Sequence, residues 1–342
     1  MIEKFLRQTE FANYEDFMRN FHVEVPENFN FAYDVVDAYA RKQPEKEAIL
    51  WTNDRGDVRH YNYRELKEMS DKAASYFLQL GICRGDSVML ILKRRLEWWV
   101  VMIALHKIGA VVIPATHLLT DRDMIYRCHE ASVRMIVTVG DVVVLRNIIR
   151  ARPYCATLRH CVSIGPVVPQ QFENFWQGIM SAPRFVSQQG RNKNTDNFLM
   201  YFTSGTSGEP KMVMHDHTYP LAHIVTARYW HNLHEGSLHL TVADTGWGKA
   251  AWGKIYGQMI AGATIFVYDF DGRFDADKML RALEEFRVTS FCAPPTVYRF
   301  MIREDLKQYD LSHLEYCTTA GEALNPSVFE EWRQKTGIMI RE

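Results

Sequence analysis

Apolar residues recur at two different spacings along the first half of this chain. Over residues 63–80 they recur every three or four positions, which predicts an amphipathic helix that Gly81 terminates. Residues 87–92 are almost all apolar and predict a buried strand, and a helix over 97–108 and a strand over 110–114 follow. Short strands that alternate with helices predict an α/β fold with a mostly parallel sheet.

The second half of the chain repeats this alternation after an irregular polar connection. Residues 165–195 are rich in Pro, Gly and Gln, which is typical of a loop. Further strands are expected at 238–242, 264–267 and 290–292, with helices at 254–260, 276–286 and 295–304. The pattern therefore predicts two doubly wound, mostly parallel α/β subdomains, over residues 1–190 (with an N-terminal helical arm) and 191–342.

Composition favours a globular protein and argues against nucleic-acid binding and a membrane span. Apolar residues make up 47% of the chain and charged residues 24%, which is ordinary for a globular protein. The formal net charge of −1 argues against a nucleic-acid partner, which would require a basic surface. The longest apolar run, residues 98–105, is too short to span a membrane. Six scattered cysteines without a Cys-x-x-Cys pair predict a reducing, cytoplasmic location.

A run of six small residues, 203–208, interrupts the apolar pattern between two apolar segments. Glycines let backbone amides approach a ligand closely, hydroxyl groups add donors, and a lysine supplies a compact positive charge, so the run predicts a cradle for a polyanion. A flexible linker is the alternative interpretation of this composition, but the apolar flanks argue against it. The candidate phosphate-binding residues are Thr203, Ser204, Gly205, Thr206, Ser207, Gly208 and Lys211.

The sequence Thr-Ser-Gly-Thr-Ser-Gly-x-Pro-Lys over residues 203–211 resembles the signature loop of the AMP-forming acyl-CoA synthetases, members of the adenylate-forming superfamily. The resemblance implies that this loop holds the β- and γ-phosphates of ATP while a carboxylate attacks the α-phosphate, with Lys211 as the one catalytic residue of a partial site. It also implies ATP, Mg²⁺ and coenzyme A as cofactors of the intact enzyme and a small-molecule carboxylate as substrate. None of them is expected to stay tightly bound to this chain.

Two other segments strengthen the resemblance. Asp-Thr-Gly-Trp over residues 244–247 is similar to the segment that lines the acyl pocket in the medium-chain branch of the family, which implies that Thr245, Gly246 and Trp247 contact the acyl group. A core position is the alternative for Trp247. The neighbouring Trp252 could belong to the same wall or to the packing around it.

The segment Gly321, Glu322 and Ala323 resembles the family's adenine site, although by itself it reads as an ordinary turn between a strand and a helix. Six histidines between residues 215 and 239 lack a convincing pattern of metal ligands, so no metal site is predicted.

The resemblance also concerns what lies beyond residue 342. Relatives continue there into a Gly-Gln-Thr-Glu motif and then a C-terminal lid domain, neither of which is in this sequence. We therefore expect the N-terminal fragment of an ATP-dependent carboxylate–CoA ligase, with at most trace activity by itself. Apolar surface near residues 335–342 would favour self-association. Two alternatives stay open: a non-catalytic nucleotide- or acyl-binding protein, and an adenylation domain that loads a carrier protein.

Overall fold

The computed structural model describes residues 1–203 and 208–342. Their strands form two seven-stranded sheets. Numbered along the chain, the strands are β1 (Glu47–Asn53), β2 (Val58–Asn62), β3 (Ser87–Ile91), β4 (Val111–Pro114), β5 (Val133–Thr138), β6 (His160–Ser163), β7 (Glu173–Asn174), β8 (Asn197–Thr203), β9 (Lys211–Asp216), β10 (Leu238–Thr241), β11 (Thr264–Asp269), β12 (Ser290–Ala293), β13 (Tyr316–Thr319) and β14 (Ile340–Arg341).

Helices connect most of the parallel strands. In chain order they are α1 (Tyr14–Asn20), α2 (Asp37–Lys42), α3 (Tyr63–Gln79), α4 (Glu97–Ile108), α5 (Asp121–Glu130), α6 (Val142–Ala151), α7 (Phe175–Ser181), α8 (Tyr219–Ile224), α9 (Gly248–Lys254), α10 (Tyr256–Ala261), α11 (Ala276–Glu285), α12 (Pro295–Met301) and α13 (Pro326–Thr336).

Both sheets are mostly parallel, as the alternation of strands and helices predicts. The first sheet has the order β7-β6-β5-β3-β4-β8-β9, and its antiparallel pair is β8 with β9. The second has the order β14-β13-β12-β10-β11-β1-β2, and its antiparallel pair is β1 with β2. The predicted α/β class with two doubly wound, mostly parallel sheets is therefore confirmed.

Strand pairing crosses residue 190 in both directions. β1 pairs with β11 in the second sheet, with Ile49 opposite Ile265, although it lies early in the chain. β8 pairs with β4 in the first sheet, with Val112 opposite Leu199, although it follows the polar connection. The small-residue run lies within the predicted 191–342 subdomain, but β8 and β9 on either side of it belong to the first sheet. The reason is that the apolar residues of β8 are buried against β4. As a division into folding units, 1–190 and 191–342 stays a prediction.

Local signals in the sequence account for the two best-predicted helices. Asn62 caps α3, because its side chain accepts a hydrogen bond from the amide of Glu65 while the Glu65 carboxylate accepts one from the amide of Asn62. α4 is buried on all sides and ends where Gly109 adopts φ 73°. The indole of Trp99 on α4 donates to the carbonyl of Lys254 at 2.7 Å, which joins α4 to α9.

The last residues form the outermost strand of the second sheet. β14 pairs with β13 through Ile340, which is opposite Cys317, and Met339 just before it is 47% exposed. Within the part of the chain that the structure describes, the other side of β14 has no neighbouring strand. Self-association through residues 335–342 stays a prediction.

Candidate functional site

The turn after β10 meets the loop after β4, which brings the carboxyl ends of the two sheets together. A Cβ atom on Gly246 would lie 2.1 Å from the amide nitrogen of Thr116 and 2.2 Å from the carbonyl carbon of Ala115, so this position accepts only glycine. The hydroxyl of Thr245, which is buried, donates a hydrogen bond to the carbonyl of Lys93 after β3. Two of the predicted acyl-pocket residues therefore fix the position of the third, Trp247.

Asp244 anchors the same turn. Its carboxylate accepts a hydrogen bond from the amide of Gly246 at 2.8 Å and contacts Nδ1 of His117 at 3.2 Å. Burial raises the pKa of Asp244, but the hydrogen bonds from His117 and Gly246 outweigh burial and leave the pKa below its usual range. Asp244 is therefore held as a carboxylate that is already engaged on two sides.

The described members of the predicted phosphate-binding set, Thr203, Gly208 and Lys211, lie at the end of the β8–β9 hairpin. Thr203 and Lys211 face each other across the two strands, with the Thr203 hydroxyl 3.5 Å from the carbonyl of Lys211. Gly208 has φ 102°, with open space where a Cβ would be. The phenol of Tyr126 on α5 donates to the carbonyl of Pro210 at 2.9 Å and so holds the returning chain. Ser204, Gly205, Thr206 and Ser207 lie outside the described residues.

Lys211 is exposed, and no ion pair among the described residues involves it. The hairpin lies beside β4, and parallel neighbours end at the same edge of a sheet. The hairpin is therefore at the edge where Thr116 meets Gly246, and the predicted phosphate and acyl segments share that edge.

The predicted adenine segment follows β13, and α9 and α12 hold it in place. Gly321 is exposed with φ 105°, a conformation that favours glycine. The ammonium of Lys249 on α9 donates to the carbonyl of Ala320 at 3.0 Å, and the hydroxyl of Thr296 donates to Glu322 at 2.7 Å. Ala323 is exposed beside them. Because α9 follows Trp247 directly, the predicted acyl and adenine segments lie on connected elements.

A cavity of about 140 Å³ lies beside Trp247. Trp247 is 55% exposed, so it forms part of a wall and does not pack as a core residue. Trp252, whose place was open, does not line this cavity; its ring lies 5.5 Å from Trp230 and 5.9 Å from His231. The lining consists of Arg94, Leu240, Thr241, Val242, Ala243, Asp244, Trp247, Lys254, Tyr268, Phe270, Met279 and Pro294.

Two cations of this cavity were not found by sequence reasoning. Arg94 lies 4.0 Å from the ring centroid of Phe270 and donates to the Phe270 carbonyl. Lys254 is 2% exposed, and burial, with a smaller contribution from Arg94, lowers the pKa of its ammonium from 10.5 to about 7. In the sequence Lys254 stands at the start of an apolar helical segment, which does not distinguish a buried lysine from an exposed one.

The histidine of β10 has a structural role. His239 is fully buried and shares hydrogen bonds with Ser290 at 2.9 Å and Thr241 at 2.8 Å. Burial lowers the pKa of His239 to about 3, which keeps the ring neutral. Across residues 1–203 and 208–342, no group of three or more His, Cys, Asp or Glu side chains could hold a metal ion.

Comparison with known proteins agrees with this arrangement. Residues 36–342 match the model of the AMP-binding enzyme family. The chain is 33% identical over 342 residues to the mitochondrial acyl-coenzyme A synthetase ACSM3 of Rattus norvegicus, with 97% of this chain and 58% of the relative covered. It is 35% identical over 329 residues to the mitochondrial acyl-coenzyme A synthetase ACSM4 of Homo sapiens, with 93% and 55% covered.

Solved structures show the same fold. An acyl-CoA synthetase from Brucella canis superposes with a TM-score of 0.80 at 22% identity, covering 91% of this chain and 56% of that one. The anthranilate CoA ligase AuaEII, solved in complex with anthranoyl-AMP, superposes with a TM-score of 0.83 at 22% identity, covering 92% and 60%. The chain thus spans somewhat more than half the length of the proteins that it matches.

The comparisons overturn one expectation. The curated relatives are mitochondrial proteins, so the cytoplasmic location inferred from the cysteines is wrong. Scattered reduced cysteines fit any reducing compartment and could not distinguish one from another. No helix of the described residues is long and apolar enough to cross a membrane.

Proposed function

We propose, from the premise that this chain belongs to the AMP-binding enzyme family and resembles its acyl-CoA synthetases, that it provides the ATP- and carboxylate-binding part of a carboxylate–CoA ligase. The reaction would join a carboxylate to ATP, giving an acyl-adenylate and pyrophosphate. Transfer of the acyl group to coenzyme A would then release AMP. The observation that best supports this proposal is the contact between the 244–247 turn and the loop after β4, beside the β8–β9 hairpin.

Each part of the reaction has residues in this chain that support it. The exposed ammonium of Lys211 would bind the phosphates of ATP, and Gly321 would let the adenine ring approach the backbone. Trp247 would contact the acyl group, since a large half-exposed ring beside a cavity suits an apolar ligand. Mg²⁺ would neutralise phosphate charge when bound.

The test is exchange of labelled pyrophosphate into ATP by the protein that contains this chain, with a series of short carboxylates. The variant Lys211→Met is expected to lower the exchange rate about 100-fold, the usual scale for losing one oriented charge-stabilising group. Lys72→Met is the matched control, because Lys72 is an exposed lysine on α3 and is expected to leave the rate unchanged. Equal rates for both variants would remove the phosphate role of Lys211.

The same assay separates the alternative functions. A ligase consumes coenzyme A and forms an acyl thioester, whereas an adenylation domain that loads a carrier protein supports exchange without consuming coenzyme A. A non-catalytic binding protein would bind ATP without any exchange. Pyrophosphate exchange, consumption of coenzyme A and binding of ATP, each measured with every carboxylate, therefore decide between the three functions.

A further inference from the structure

Lys254 presents an unusual combination of burial and isolation. Its side chain lines the cavity beside Trp247, and the residue is 2% exposed. Among the hydrogen bonds and ion pairs of the described residues, none involves its ammonium group. Burying a charged group without a partner costs several kcal/mol, so such a lysine requires a reason to be there.

The two carboxylates whose charges act on Lys254 do not provide that partner. Asp244 is occupied by His117 and by the amide of Gly246. Asp269 lies 2.8 Å from the guanidinium of Arg95, and Arg94 approaches it at 3.9 Å. Both carboxylates act on Lys254 at longer range and oppose the lowering of its pKa. Each carboxylate is already engaged, Asp244 by His117 and Gly246 and Asp269 by Arg95, which leaves the ammonium of Lys254 for a ligand.

The remaining walls of the cavity are apolar. The side chains of Trp247, Phe270 and Met279 lie on different elements around the space, and Leu240 and Val242 of the β10 region complete it. Arg94 is occupied by the ring and carbonyl of Phe270. A ligand that fits must therefore have an apolar body and one anionic end.

We propose that this cavity binds the second carboxylate of a short dicarboxylic acid, with the Lys254 ammonium as its counter-ion. The inference rests on the proposed function, since the first carboxylate would be the one that reacts with ATP. A cavity of about 150 Å³ in another protein holds a benzene-sized ligand, so about 140 Å³ suits only a short chain. Lys254 would thus determine specificity without taking part in the chemical step.

Binding of glutarate to the protein, measured by calorimetry, tests the site without requiring activity. Lys254→Met keeps the length of the side chain and removes the charge, and we expect its dissociation constant for glutarate to rise at least tenfold. Lys278→Met is the matched control, because Lys278 is next to the cavity-lining Met279 but has a side chain that is 52% exposed. 1,5-Pentanediol, an uncharged probe of equal length, should bind both forms equally.

The pH dependence adds a readout that a structural lysine would not show. Because the pKa of Lys254 is about 7, glutarate should bind at least fivefold more tightly at pH 6.5 than at pH 8.5. Arg94, Asp244, Asp269 and Lys249 also act on Lys254, so the dependence is assigned by comparison with variants. It should vanish in Lys254→Met, and Lys254→Arg should bind glutarate equally at both pH values.

Activity then separates the two proposals. In the exchange assay, glutarate should give a higher kcat/KM than pentanoate, and Lys254→Met should reverse that order. If no carboxylate supports exchange while glutarate still binds through Lys254, the ligase function fails and the anion site stands. If pentanoate and glutarate react equally, or if Lys254→Met binds glutarate as tightly as the unchanged protein, the anion site is refuted whatever the activity.

Discussion

Gly246 and Thr116 are in backbone contact: a Cβ atom at position 246 would lie 2.1 Å from the amide nitrogen of Thr116. Gly246→Ala should therefore push the turn after β10 away from the loop after β4. We expect the free energy of unfolding to fall by about 1–3 kcal/mol, the usual cost of overpacking. Thermal or urea unfolding measures this loss.

The control for this variant lies two residues further along the chain. A Cβ atom on Gly248 would meet no atom within 4 Å, so Gly248→Ala should change the stability by less than about 0.5 kcal/mol. The rate of pyrophosphate exchange should also fall in Gly246→Ala at temperatures where the variant is still folded, because the contact holds the segment proposed to bind the acyl group at the sheet edge beside the β8–β9 hairpin. Equal behaviour of the two variants would contradict the close contact.

Trp247→Ala should change substrate preference while leaving the fold intact. Trp247 is 55% exposed, so its removal should cost far less than the about 3–5 kcal/mol of a core tryptophan. Trp332, which is fully buried, provides the core comparison. In the protein that contains this chain, kcat/KM should shift among carboxylates by about 1–3 kcal/mol per methylene-sized change, with dependence on ATP retained. A uniform loss for every carboxylate would exclude a pocket role for Trp247.

Local sequence patterns predicted the helices and strands of this fold better than they predicted which strands pair with each other. The helix over α4 and the strand β3 are both evident from periodicity and burial, because local propensity and tertiary packing agree there. The pairing of strands across residue 190 was not predictable in this way. β1 pairs with β11 across more than 200 residues, and nothing in the apolar pattern of either strand specifies that partner.

In the candidate site, likewise, some residues could be predicted from the sequence and others could not. Gly246 and Gly321 were identified from small-residue turns after strands, where positive φ or close approach leaves a mark in the sequence. No local sequence signal identifies Lys254, since its role depends on the cavity that it lines together with Thr241 and the β11 region. A buried cation is a property of the assembled cavity, so only the structure reveals it.

Lys254 should also make the stability of the protein depend on pH in a recognisable window. Burial lowers the pKa of its ammonium from 10.5 to about 7, so between these values the unfolded chain binds a proton that the folded protein does not. Stability therefore rises with pH across this window, by up to about 1.4 kcal/mol per unit. Lys254→Met should be more stable than the unchanged protein at pH 6.5, and the difference in Tm should shrink towards pH 9.5. A constant difference would mean that Lys254 titrates normally.

His239 should change stability in the same direction as Lys254, but in a more acid window. Burial lowers the pKa of its ring from 6.5 to about 3, so below pH 6.5 the unfolded chain takes up a proton that the folded protein excludes. The contribution of His239 to stability is complete above pH 6.5 and is lost by about 1.4 kcal/mol per pH unit as the pH falls towards 3. His239→Asn should be less stable at pH 7, because its hydrogen bonds to Ser290 and Thr241 change, but its Tm should fall less steeply between pH 6.5 and 4.5.

His22→Asn is the control, since His22 is exposed and its replacement should leave both the Tm and its slope against pH unchanged. Identical acid slopes for the unchanged protein and His239→Asn would show that His239 is not held neutral.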